Sequence, residues 1–158
     1  MKILTFDIEE WFHILDNPET QTTESWRQYD SRLRQGVDAI LELLDEAGQP
    51  ATFFCLGWVA EQHPDVIRSI DNAGFEIASH SYGHQLAYEQ SREEFREDLT
   101  RSLGILQDII GKPIDTYRAP GFSITGKNLW AFDELIEAGI KVDCSLFPAD
   151  RAHGGLPS

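Results

Sequence analysis

A single unit recurs along this sequence: a short apolar segment, a polar loop, an amphipathic stretch and a glycine. The first apolar segment, residues 2–8, carries Ile3, Leu4, Phe6 and Ile8, and a polar loop containing Trp26 follows over residues 16–30. A helix is expected from Ser31, its N-cap, with Leu33, Val37, Ile40, Leu41 and Leu44 on one face at a period near 3.6. Gly48 ends it and Pro50 prevents its continuation. Residues 51–56 are a continuous apolar run, the pattern of a strand buried on both faces. A helix over residues 58–73 follows, in which Pro64 marks either a break or a new first turn, and Gly74 stops it. Residues 75–79 form a third strand leading into His80. Ser91 and Glu94 then make a capping box for a helix with the stripe Phe95, Leu99, Leu103, Leu106 and Ile110, closed by Gly111. A strand at 115–118, a helix at 126–138 and a strand at 140–145 complete the series. Such alternation implies an α/β fold with parallel strands joined by right-handed crossovers. The sheet is either open and doubly wound or part of a barrel; periodicity does not choose.

The 158 residues suffice for one domain with a core, and 41% of them are hydrophobic. Acidic residues outnumber basic ones by 27 to 13, giving a net charge of −14. That surface repels nucleic acid and anionic lipid, so no nucleic-acid partner is expected. Cys55 and Cys144 are far apart and read as core thiols. No segment approaches the roughly 20 apolar residues of a membrane span. The apolar stretch before Asp7 is too short for a signal peptide, so the chain as written reads as cytoplasmic. The oligomeric state is left open.

Asp7, His80, Arg118 and Asp143 fall at the C-terminal ends of expected strands, the edge where parallel α/β folds bind ligands. His80 and His84 are the one close pair among five histidines. Four residues apart, they converge on one metal ion if the turn between them is roughly helical, and Gly83 permits a tight turn. The plainer alternative is two satisfied histidines. Asp7, Glu9 and Glu10 supply carboxylates, and along a strand Asp7 and Glu9 share a face while Ile8 packs inward. Arg118 either pairs with Asp7 and keeps it ionised or lies on the surface. Asp143 is a second candidate, with a cap or loop role as its alternative.

The segments FDIEEW, SHSYGH, YRAPGF and VDCSLFP, in that order and at those intervals, resemble the polysaccharide deacetylase family (NodB homology, carbohydrate esterase family 4), in its Asp-x-Glu branch. The resemblance covers essentially the whole chain. It implies a distorted (β/α)7 barrel and a divalent metal cofactor, Zn²⁺ before Co²⁺, Ni²⁺ or Mn²⁺. It implies that Asp7 is the general base and that Glu9, His80 and His84 are the metal ligands, with Glu10 as a substitute for Glu9. Arg118 matches the residue that orients the base; Tyr117 and Pro120 lie in a segment that lines the groove; Asp143 matches loosely. Trp11, Phe12 and Trp26 flank the site and either stack on sugar rings or pack as core or lid. The implied partner is an N-acetylated glycan, from which an N-acetyl group is removed. The oxyanion is expected on the metal and on a backbone N–H near Tyr117 or Arg118.

The family's last motif, a Leu and a His acting as general acid on a later strand, has no match here. His153 lies in a loop-like stretch without the preceding apolar strand. The simplest expectation is a single domain, residues 1–158, truncated after the fifth strand, with low activity of its own. The rival readings are a cyclic-amide or ureide hydrolase on the same scaffold, or a fragment that binds metal or glycan without catalysis.

Overall fold

The computed structural model describes residues 3–157. Lys2, expected in the first strand, lies outside the described residues. One sheet is built from β1 (Leu4–Ile8), β2 (Ala51–Cys55), β3 (Glu76–Ser79), β4 (Thr116–Tyr117) and β5 (Val142–Asp143). Spatial order equals chain order and every pairing is parallel, as the strand–helix alternation requires. The register is even: Ile8, Cys55, Ser79, Tyr117 and Asp143 form one row across the sheet, each the last residue of its strand. The residues that follow, Glu9, His80 and Arg118 among them, therefore leave the sheet along one edge.

The helices are α1 (Thr23–Trp26), α2 (Leu33–Ala47), α3 (Gly57–Gln62), α4 (Pro64–Asn72), α5 (Arg92–Ile110) and α6 (Ala131–Glu137). The capping box opens α5 as its sequence predicts, with Ser91 Oγ accepting from the Glu94 N–H and the Glu94 carboxylate from the Ser91 N–H. Phe95, Leu99, Leu103 and Leu106 of α5 enter a core shared with Val37 and Leu44 of α2 and Ile67 and Ile70 of α4. Cys55 is fully buried in that core and Cys144 half-buried, both as free thiols.

Two expectations are corrected and one alternative is decided. Ser31 does not occupy the N-cap of α2: Arg32 stands there without a side-chain cap bond, while Ser31 Oγ donates to Glu10 and accepts from the Leu33 N–H at a long 3.4 Å. At Pro64 the structure takes the new first turn allowed by the sequence: the stretch 58–73 holds two helices, because His63 at φ −131°, ψ 57° breaks the path and Pro64 starts α4 with its preset φ. The expected helix over 126–138 begins only at Ala131. Asn128 accepts from Thr125 N at 2.8 Å and donates to Ser123 O at 3.1 Å, a local side-chain turn that competes with helix. The loop over 16–30 also holds short structure, a 3₁₀ turn at Pro18–Thr20 and α1.

Candidate metal centre

His80 leaves β3 with its ring almost wholly buried. Its Nδ1 lies 2.8 Å from the Arg118 carbonyl oxygen. A carbonyl only accepts, so Nδ1 carries the proton and Nε2 presents a lone pair. Burial holds this imidazole below its ordinary pKa, against the opposing effect of Asp7, whose Oδ2 lies 3.9 Å from Nε2.

The turn to His84 is not the helical one expected. Ser81 and His84 adopt left-handed backbone, at φ 67° and 50°, a conformation non-glycine residues rarely hold unless neighbours fix it. Here they do. Half-buried Asp98 of α5 accepts from Tyr82 N at 2.7 Å and from Gly83 N at 2.8 Å. Ser81 O and Tyr82 O accept from the first N–H groups of α3, and Ser81 Oγ from the His84 N–H. Ser102 ties the Ser79 hydroxyl to Ser81 O. Gly83 is not at positive φ, and a Cβ there would meet Asp98 Oδ2 in ordinary contact at 3.4 Å, so the turn does not depend on glycine.

The turn brings His84 Nε2 to 2.9 Å from Glu9 Oε2. That carboxylate oxygen nonetheless has no aligned hydrogen bond. Ligand atoms of Glu9, His80 and His84 lie within 4.8 Å of one another, the one such group among the described residues. Two imidazole nitrogens and a carboxylate oxygen gathered this closely could hold a divalent metal ion. Glu10, one residue on, is diverted elsewhere. Its buried carboxylate accepts from Arg32 N at 3.1 Å, Leu33 N at 3.3 Å and the Ser31 hydroxyl, capping α2 from 22 residues away. It is not available as the substitute ligand.

Arg118 reaches Asp7 Oδ1 at 2.7 Å and Thr5 Oγ1 at 3.1 Å, with its guanidinium 3.9 Å over the Phe54 ring. A flat sheet would separate β1 from β4 by about 14 Å, three strand spacings; the contact shows that the sheet curls. Asp143 takes the loop alternative. Both its oxygens engage Ser145, whose hydroxyl accepts from Ala119 N, so it braces the chain beyond β4 and does not enter the metal group.

The residues expected at the substrate need correcting. Tyr117 and Pro120 are buried, with Tyr117 edge-on to Phe95, so their side chains do not line an open groove. The Arg118 N–H is spent on Ser79 O, which removes it from the expected oxyanion donors. Phe12 and Trp26 are core residues. Trp11 alone stays exposed, at 49%, anchored by Nε1 to Asp30 O at 3.2 Å.

His13 escaped the sequence reading. It is 2% exposed, with ring centroids 4.1 Å from Trp26, 5.3 Å from Trp58 and 6.3 Å from His84. Burial, with His84 and His80 nearby, pushes its pKa down to about 3. The signal was present: an imidazole between Trp11-Phe12 and Ile14-Leu15 is a polar group in an apolar run beside the acidic cluster. His153 pairs with Asp16 at 3.3 Å and lines the same cavity as His13 and His84.

The sequence model of the family described as Polysaccharide deacetylase matches residues 17–138. The chain belongs to that family. This deacetylase-family chain is 27% identical over 119 residues to a peptidoglycan-N-acetylglucosamine deacetylase of Bacillus cereus, covering 75% of this chain and 44% of the relative. It is 28% identical over 120 residues to a peptidoglycan deacetylase of Helicobacter pylori, covering 73% and 38%. Among solved structures it resembles one from Mycobacterium smegmatis assigned to the polysaccharide deacetylases, with a TM-score of 0.77 and 32% identity over 94% of this chain and 52% of that one. A family 4 carbohydrate esterase pseudoenzyme from Bacillus anthracis shares the fold, with a TM-score of 0.67 and 18% identity over 89% and 42%. The chain thus spans about half the length of these relatives or less. Its curled parallel sheet is the α/β barrel type of its structural neighbours, represented here by five strands.

Proposed function

We propose that Glu9, His80 and His84 hold a divalent cation, Zn²⁺ first among the candidates, and that the site removes N-acetyl groups from an N-acetylglucosamine-containing polysaccharide. The observation that carries this is the convergence of those three side chains, with Glu9 Oε2 and His84 Nε2 2.9 Å apart and no aligned hydrogen bond at the oxygen. When bound, such an ion supplies Lewis-acid activation of water and of the acetyl carbonyl.

The chain's own residues supply the rest. Asp7 is the general base. Arg118 engages Oδ1, which leaves Oδ2 to take the proton from the attacking water. The same guanidinium fixes the direction of the Asp7 carboxylate. The Arg118 carbonyl holds the His80 tautomer, so one residue sets both the base and a ligand. Exposed Trp11 offers an aromatic face to a sugar ring. Two of the relatives are named as peptidoglycan deacetylases, which makes that polymer the first substrate to try. Departure of the amine needs an acid. Loss of a general acid costs about 10²–10⁴-fold, and residues 1–158, taken as one deacetylase domain, offer no match to the family's acid motif, so slow turnover is expected from the chain alone.

Calorimetry with Zn²⁺ tests the site. Wild type is expected to bind, and His80→Ala and His84→Ala to bind at least tenfold more weakly. Equal affinity in all three overturns the assignment. Acetate release from chito-oligosaccharides, set against ring opening of small cyclic amides to the amino acid or amide acid, both with added Zn²⁺ or Co²⁺, distinguishes the glycan reading from the cyclic-amide one.

A further inference from the structure

Asp98 and Ser102 stand four residues apart on one face of α5. Between them they hold four polar groups of the loop that carries both histidines. Asp98 Oδ1 accepts from Tyr82 N at 2.7 Å and Oδ2 from Gly83 N at 2.8 Å, so each carboxylate oxygen takes one of two successive amides. Ser102 Oγ donates to Ser81 O at 3.0 Å. Its single proton is thereby spent, so across 2.9 Å it accepts from the Ser79 hydroxyl.

The two grips fall beside different histidines. Ser79 and Ser81 flank His80, whereas Tyr82 and Gly83 run directly into His84. Ser79, Ser81 and Ser102 are at most 1% exposed, so no water stands ready to replace a bond lost among them. Ser81 and His84 keep their left-handed backbone, φ 67° and 50°, only where neighbours impose it. The α3 helix adds two bonds, from Gly57 N to Ser81 O at 2.8 Å and from Trp58 N to Tyr82 O at 3.2 Å. It presses close: a Cβ on Gly57 would meet the Ser102 Cα and Oγ at 3.0 Å. None of these bonds uses a ligand atom of Glu9, His80 or His84, so the loop owes its shape to the protein and not to an ion.

We propose that α5 seats the metal centre: Asp98 is a positioning residue for His84 and Ser102 for His80, each setting its imidazole through the backbone it holds. This deepens the metal reading above and rests on it.

Double-mutant cycles on the whole chain test this, read as Zn²⁺ affinity by chelator competition where binding is tight and by calorimetry where it is weak. Asp98→Asn keeps the size of the side chain and one oxygen but turns an NH₂ toward the second amide. Ser102→Ala removes both hydroxyl bonds. The α3 bonds remain in each variant, so the loop keeps part of its support. Each substitution is expected to weaken zinc binding by about tenfold. In a His84→Ala background Asp98→Asn is expected to change affinity by less than about twofold, and Ser102→Ala likewise in a His80→Ala background. In the crossed pairs each should keep its full effect. Equal effects in matched and crossed backgrounds show a general loosening and overturn the inference, and wild-type affinity in either variant strikes that residue's assignment. Unchanged affinity in His80→Ala and His84→Ala overturns the metal reading and this one with it. Amide hydrogen exchange of the metal-free wild type needs no variant: the Tyr82 and Gly83 amides are expected to be protected together with the core of α5, and exchange as fast as in an open loop refutes the hold of Asp98 on the turn.

Discussion

Glu9 and Glu10 are adjacent, chemically identical and oppositely employed. Glu9 faces two histidines; Glu10 caps α2. The i, i+2 spacing from Asp7 favoured Glu9, and the family resemblance kept Glu10 as its substitute; the partner that claims Glu10 lies 22 residues away and carries no local mark. The two variants should therefore separate. Glu10→Ala strands the first N–H groups of α2 and is expected to cost about 1–2 kcal/mol in urea unfolding, with zinc affinity intact. Glu9→Ala is expected to leave unfolding nearly unchanged and to abolish tight zinc binding. The reverse pattern would exchange their roles. His13 carried a local signal, a polar ring in an apolar run, but its partner at the Glu10 N–H and the cavity it lines come together only in the fold.

The long elements were readable because each obeys a local rule. The α5 helix has its capping box, its apolar stripe and Gly111 in left-handed backbone at φ 68°. The 4-residue α1 was not, being too brief for a period to emerge, and the 6-residue α3 was read only as part of the longer stretch 58–73. One contact between elements gives a pH signature. Glu134 of α6 is gripped by Arg96 of α5, at 2.5 and 3.0 Å, and by Arg92. Those hydrogen bonds, Arg96 first, depress its carboxyl from 4.5 to about 2. A depressed acid contributes stability that is complete above the unfolded value and lost as the folded one is approached. Thermal unfolding should therefore show the α5–α6 contribution intact above pH 4.5 and fading toward about pH 2. In Glu134→Gln that stretch of the melting-temperature profile should be flatter.

The alternation of apolar runs and helices pointed to five parallel strands, but not to whether the sheet curls; the contact of Arg118 with Asp7, across 111 residues of chain, marks that curl only in the fold. Among the described residues β1 pairs only with β2 and β5 only with β4. Ile3, Leu4, Val142 and Leu146, in or beside these edge strands, are 40–73% exposed. Open strands flanked by apolar side chains template further pairing. Sedimentation velocity on the 158-residue chain is expected to show concentration-dependent association up to the order of 100 µM, and a single monomer throughout would show that these edges are protected in solution.

The sequential strand order has a temporal consequence. Glu9, His80 and His84 all belong to the first 84 residues, while Arg118 arrives with β4. During synthesis on the ribosome, every proposed ligand emerges before the residue that aims Asp7. A nascent chain able to capture an ion at that stage would clip β1 to β3 early, so that loading precedes competence and the ion guides the assembly of its own machinery.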